Sequence, residues 1–167
     1  MSDDVIVRRH IDAPAAQVWS MISDITRMGE WSPESTGGRW TKGARGPAVG
    51  AKFSGTNHNG KKKWSTTGTV VAADPGERFA FVVDVGPIGI SRWSFDLDSD
   101  ASGCTVTETW TDRRGRLARA IGKPASGVAD RTAHNRQGME QTLERLAAAA
   151  EAADKGAGNG SGDSAAD

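Results

Sequence analysis

Glu108 lies in Val106-Thr107-Glu108-Thr109-Trp110, a run in which alternate residues share a face. If the apolar face of that run is buried, Glu108 goes inside with Val106 and Trp110. An ionised carboxylate without a partner in an apolar interior is expensive, so such a group is either paired or has a raised pKa. Two roles follow. Glu108 forms a salt bridge to an arginine such as Arg92 or Arg131 or stands at a solvated rim, or it is a polar anchor or general acid/base inside a cavity. Asn57 follows Phe53 and Gly55 on one face of another run. It is either a structural amide or a second polar anchor. His134 has no Ser, Cys or carboxylate motif beside it and reads first as a surface or capping residue, with titration in a pocket as the alternative.

Other chemistries lack the residues they need. Cys104 is the single cysteine, so no internal disulfide forms and a reducing cytoplasm is the expected location. One Cys and three scattered His give no metal-ligand cluster, and no metal or cofactor is expected. There is no hydrolase elbow, phosphate-binding Gly-rich loop or dinucleotide fingerprint. Lys+Arg and Asp+Glu number 21 each, so the chain lacks the basic surface that nucleic acid or an anionic membrane favours. The start, Met1-Ser2-Asp3-Asp4, has neither the basic nor the apolar region of a signal peptide, and no apolar run is long enough for stable membrane insertion.

The chain has six Trp and four Phe but no Tyr. Rings in that number are either ordinary packing or the wall of a ligand pocket, which is mainly apolar with a few placed polar groups. Their positions decide, and those depend on the elements that carry them. Val5 to Ile11 reads as a strand. Asp12-Ala13-Pro14 marks a helix start with a capping carboxylate, and Val18, Ile22 and Ile25 follow at helical spacing. Asp24 is a candidate cap for a second short helix ending at Trp31-Ser32-Pro33.

From Gly37 to Asp112 the period changes to two. Strands are expected at 38–42, 51–58, 62–73, 78–85, 88–98 and 104–112, separated by turn signals such as Asn59-Gly60 and Asp74-Pro75-Gly76. Short spacing without intervening helices implies an antiparallel meander. Residues 115–127 read as an irregular connector with an apolar piece, Leu117 to Ile121. A long helix is expected from about Val128 to Ala153, with Met139, Leu143, Leu146, Ala147 and Ala150 as its apolar stripe and Thr132 and Asn135 continuing it. Gly138 would let that helix approach another backbone or, alternatively, line a pocket. Residues 1–153 thus form one domain, and 154–167, rich in Gly, Ser, Ala and Asp, form a disordered tail.

The pieces together resemble the polyketide cyclase/dehydrase branch of the START/Bet v 1-like (SRPBCC) superfamily over about residues 5–152. The resemblance rests on Asp12-Ala13-Pro14 with Val18-Trp19, Gly29-Glu30-Trp31-Ser32-Pro33-Glu34, Val49-Gly50-Ala51-Lys52-Phe53 and Asp74-Pro75-Gly76-Glu77-Arg78-Phe79. It continues through Val106-Thr107-Glu108-Thr109-Trp110 and His134-Asn135-Arg136-Gln137-Gly138-Met139. It implies an α+β helix-grip fold: a curved seven-stranded antiparallel sheet, two short helices and a long C-terminal helix enclosing a cavity. Strand facing and the resemblance together nominate Trp31, Phe53, Asn57, Trp64, Phe81, Trp93, Phe95, Trp110, Asn135 and Met139 as ligand-binding residues, with Glu108 as the catalytic candidate.

Three functions remain open. The first is binding or transport of a hydrophobic small molecule (a lipid, polyketide or isoprenoid-like compound) by a monomer or weak homodimer. The second is a cyclase or dehydratase using Glu108 as general acid/base. The third is a protein-interaction role, as a chaperone cofactor or toxin-like regulator, which requires a filled interior and an exposed apolar patch.

Overall fold

The computed structural model describes residues 4–115 and 127–159. Seven strands, β1 (Val5–Ile11), β2 (Ser35–Thr41), β3 (Lys52–Asn59), β4 (Lys62–Asp74), β5 (Arg78–Val85), β6 (Ile88–Ser99) and β7 (Cys104–Asp112), form one antiparallel sheet. Their order across the sheet is β1-β7-β6-β5-β4-β3-β2. The meander expected from period-two patterning is therefore present, and β1 returns to pair with β7. Register shifts occur between Ser35 and Gly37, Val70 and Ala72, and Val83 and Asp84. An extra residue on one strand bends it and increases local twist, which curls the sheet around what it covers.

Between β1 and β2 the chain makes α1 (Ala15–Ser23) and a 3₁₀ helix (Ile25–Glu30). Asp12 does not cap α1. The N-cap is Pro14, whose carbonyl accepts from the Gln17 and Val18 amides at 3.0 and 3.1 Å, and no side chain joins it. Asp12 lies two positions too far upstream and faces His10 instead, Oδ1 3.2 Å from Nδ1. Asp24 does cap the second short helix, accepting from the Thr26 amide at 3.1 Å. That helix has the tighter 3₁₀ form and ends before Trp31.

The long helix, α2 (Arg131–Asn159), begins later than its apolar stripe suggests. Asp130 sets the start by accepting from the Ala133 amide at 3.0 Å. The helix also outruns the expected boundary: residues 154–159, read as disordered tail, are helical. Once a helix is nucleated, each further residue fixes only its own dihedrals for one more hydrogen bond. The preceding turn is held by Gln17 Nε2 donating to the Ala150 carbonyl and by the Asp12 amide donating to Glu151. The rest of the expected tail, and the apolar piece Leu117 to Ile121, lie outside the described residues. No helix among the described residues is long and apolar enough to cross a membrane.

Side-chain size along α2 determines where the interior is filled. Leu143, Leu146, Ala147 and Ala150 pack with Ile11, Val18, Ile22, Phe79 and Val106 in the main core. Over the three preceding turns, the same side of the helix carries Met139, Gly138, Asn135 and Arg131, which leave the neighbouring volume open. Thr132, expected on this stripe, is exposed.

Candidate ligand cavity

A cavity of about 360 Å³ lies between the sheet and the N-terminal half of α2. Pleating supplies its walls, because alternate residues of each strand point inward. From β3 come Phe53 and Asn57, from β4 Trp64, from β5 Phe81, from β6 Trp93 and Phe95, and from β7 Glu108 and Trp110. Asn135 and Met139 close it from α2, and Trp31 from the end of the 3₁₀ helix. All eleven residues singled out in the sequence thus border one space.

The rings do not pack against one another until the volume is gone. Phe53 makes edge-on contacts to Trp40 and Phe81, with centroids 5.8 and 5.3 Å apart. Trp93 and Trp110 are tilted neighbours at 6.5 Å. Such edge and tilted pairs favour a fixed ring geometry beyond simple area burial. The Trp93 indole N–H donates to Ser91 Oγ at 3.1 Å, so this ring faces the cavity without leaving its donor unpaired.

Glu108 is buried, and its Oε2 has no hydrogen-bond partner among the described residues. Its cross-strand neighbours are Val7 and Phe95, and Val106 and Trp110 flank it on its own face. Desolvation by these groups pushes its carboxyl well above the ordinary carboxylate range. The salt-bridge reading of Glu108 is therefore overturned. Arg131 is committed elsewhere, and Arg92 is exposed on the opposite face of β6. Asn57 donates a long hydrogen bond, 3.4 Å, to Thr66 Oγ1 and still borders the cavity.

Arg131 and His134 both bind Glu34. Arg131 Nη1 donates to the two Glu34 oxygens at 3.0 and 2.9 Å, and His134 Nε2 lies 2.8 Å from Oε2. The Arg131 guanidinium also lies 6.0 Å from the Trp64 ring centroid. This cluster ties the segment entering β2 to the first turns of α2, at the end of the cavity where His58 and Gly60 of the β3–β4 hairpin also border it. His134 is thus a bonded residue of the cavity rim whose side chain is still 37% exposed, so the surface reading holds only in part. Glu34 was not singled out from the sequence; its partners are 97 and 100 positions away, and no local pattern joins them. Ile22 and Ile25 were also missed as lining residues, because helical spacing marks them only as core. Gly138 does not meet another backbone. A Cβ there would find Pro33 Cγ at an ordinary 3.6 Å, so its place is on the cavity wall.

A family model described as polyketide cyclase / dehydrase and lipid transport matches residues 3–151. The chain belongs to this family. Its solved relatives share the architecture. The polyketide-cyclase-like protein Cgl2372 from Corynebacterium glutamicum is 27% identical, with a TM-score of 0.58 and coverage of 90% of each chain. The di-domain ARO/CYC StfQ from the steffimycin biosynthetic pathway is 13% identical with a TM-score of 0.70, and the match covers 95% of this chain and 52% of that one. Major latex-like protein 151 from Panax ginseng is 13% identical with a TM-score of 0.67, over 89% of this chain and 97% of that one. At 13% identity, the last two establish the fold alone. No curated protein sequence matches the chain. Among the described residues there is no group of three or more His, Cys, Asp or Glu side chains placed to hold a metal ion.

Proposed function

We propose that this family member binds an apolar small molecule inside the cavity. The observation that carries the reading is the unfilled space of about 360 Å³ walled by Trp and Phe rings. That volume falls within the range of about 300–1,000 Å³ found for small-molecule sites. Burial contributes roughly 25 cal/mol per Å² of apolar ligand surface, so a ligand that buries a few hundred Å² gains several kcal/mol before association costs. A fatty acyl, polyketide or isoprenoid-like compound suits this wall. The family description, which joins polyketide chemistry to lipid transport, supports the same breadth.

A second reading has its own support. A buried carboxyl held toward its protonated form, inside a cavity, suits a general acid in a cyclase or dehydratase. Turnover of a poly-β-keto mimic, lost in Glu108→Gln, would favour it over simple carriage. The protein-interaction reading calls for a filled interior, and the cavity gives it no support.

Native mass spectrometry of freshly purified protein, followed by organic extraction, tests the binding proposal. The expected result is a co-purifying apolar compound in one-to-one complex. Protein that is always empty and acquires no mass from added lipid or polyketide extracts would overturn it.

A further inference from the structure

The cavity wall contains a buried carboxyl that the protein leaves unanswered. Glu108 is buried and borders the cavity, and its carboxyl, Oε2 included, has no hydrogen-bond partner among the described residues. Its cross-strand and same-face neighbours Val7, Phe95 and Val106 have no polar side-chain atom, and the Trp110 indole N–H does not reach Oε2. A buried polar group left unpaired is destabilising, and a ligand atom that completes it regains that loss. The charged side chains on the wall are engaged elsewhere: Arg131 and His134 with Glu34, and Arg114 with Asp112. The unanswered valence therefore selects among ligands.

Resting on the binding proposed above, we infer that Glu108 is the specificity-determining hydrogen-bond donor of the cavity, and that it takes the carbonyl oxygen of a neutral, ring-bearing ketone. A protonated carboxyl has an O–H to give, and a ketone oxygen has two lone pairs and no hydrogen of its own. Trp93 and Trp110, tilted beside Glu108, give the ring system aromatic surface to lie on. A hydrocarbon leaves Oε2 unanswered. A protonated amine has no lone pair to accept with and needs Glu108 ionised beside it among apolar groups, a desolvation that is not recovered unless the pair is otherwise satisfied.

The test uses three tricyclic probes of nearly equal size, 9-fluorenone, fluorene and 9-aminofluorene, with dissociation constants from equilibrium dialysis. Wild-type protein is expected to bind fluorenone roughly 5- to 50-fold more tightly than fluorene, the gain from satisfying one buried donor. Glu108→Gln keeps a donor and should keep part of that preference. Glu108→Leu should erase it without losing fluorene binding, and it replaces an unpaired polar group by an apolar one of similar size, so it is expected to fold. Equal affinities for fluorenone and fluorene in wild type, or a preference for the amine, would overturn the inference while leaving cavity binding intact. Binding of none of the three would contradict both.

Discussion

The ring of Phe53 on β3 lies across Gly68 of β4 and reaches Phe81 on β5, so a side chain is replaced by a neighbour's ring. Phe53 and Gly68 are directly paired across the two strands, and a Cβ at Gly68 would clash with the outer edge of the Phe53 ring at Cζ. Glycine normally weakens a strand. Here it clears the passage through which Phe53 meets Phe81 at 5.3 Å, and that contact forms part of the cavity wall.

Gly68→Ala should therefore push Phe53 out of place and destabilise the protein by about 1–3 kcal/mol, as overpacking does. Phe53→Leu removes the outer ring atoms with which the added methyl group would collide. In that background the same Gly68→Ala change should cost well under half as much. Urea denaturation of the four proteins measures the coupling. Additive effects would show that the ring does not depend on the glycine.

Glu108 should give the protein a distinctive pH dependence. Its carboxyl titrates near 4.5 in an unfolded chain and well above that in the fold. Between those values the native state holds a proton that the unfolded state has released. Stability therefore falls as pH rises, by up to about 1.4 kcal/mol per pH unit. The loss begins above about pH 4.5 and is complete once pH passes the native value. Glu108→Gln removes this contribution and leaves the other titrating groups in place. Urea unfolding between about pH 4 and 9 should show wild type losing ground to Glu108→Gln as pH rises. Parallel curves would mean that Glu108 has an ordinary pKa.

Arg131 and His134 hold Glu34 across the rim, and the Glu34 carbonyl also accepts from the His58 amide at 2.9 Å. Arg131→Ala should cost about 0.5–1.5 kcal/mol, since the pair is partly shielded from water. The effect should also be local. Amide hydrogen exchange is expected to accelerate for residues 31–37 and at His58, with β6 and β7 unchanged. Uniform acceleration would place the effect in global stability instead.

Gly138 offers a gain. A methyl group there meets only Pro33 at normal contact distance, and glycine inside a helix is about 1 kcal/mol worse than alanine. Gly138→Ala should raise stability by about 0.5–1 kcal/mol in denaturant titrations. A loss would mean that the α2 backbone needs the freedom glycine gives it.

Much of this structure was legible in the chain. Period-two patterning located six of the seven strands, because one face of each is covered and a one-residue slip would turn Phe81, Phe95 or Trp110 to solvent. The same alternation placed Glu108 and the rings on one face. What stayed hidden was pairing over distance. Nothing near Glu34 announces Arg131 and His134, and nothing near Glu108 says that no arginine reaches it. Helix ends were misplaced for a related reason. The apolar stripe of α2 continues into residues that only Asp130 excludes, and its far end is held by α1 and by the amide of Asp12, outside the helix's own sequence.

The account stands on the cavity accepting a guest, and titration with the neutral fluorescent probe N-phenyl-1-naphthylamine tests that most directly. Four of the six Trp residues border the space, so energy transfer from Trp to bound probe reports occupancy. Wild type should bind one probe per chain. Thr66→Trp, which projects an indole from β4 into the same volume, should fold normally and lose the signal. Absence of binding to wild type, or binding that the added indole leaves unchanged, would contradict the account.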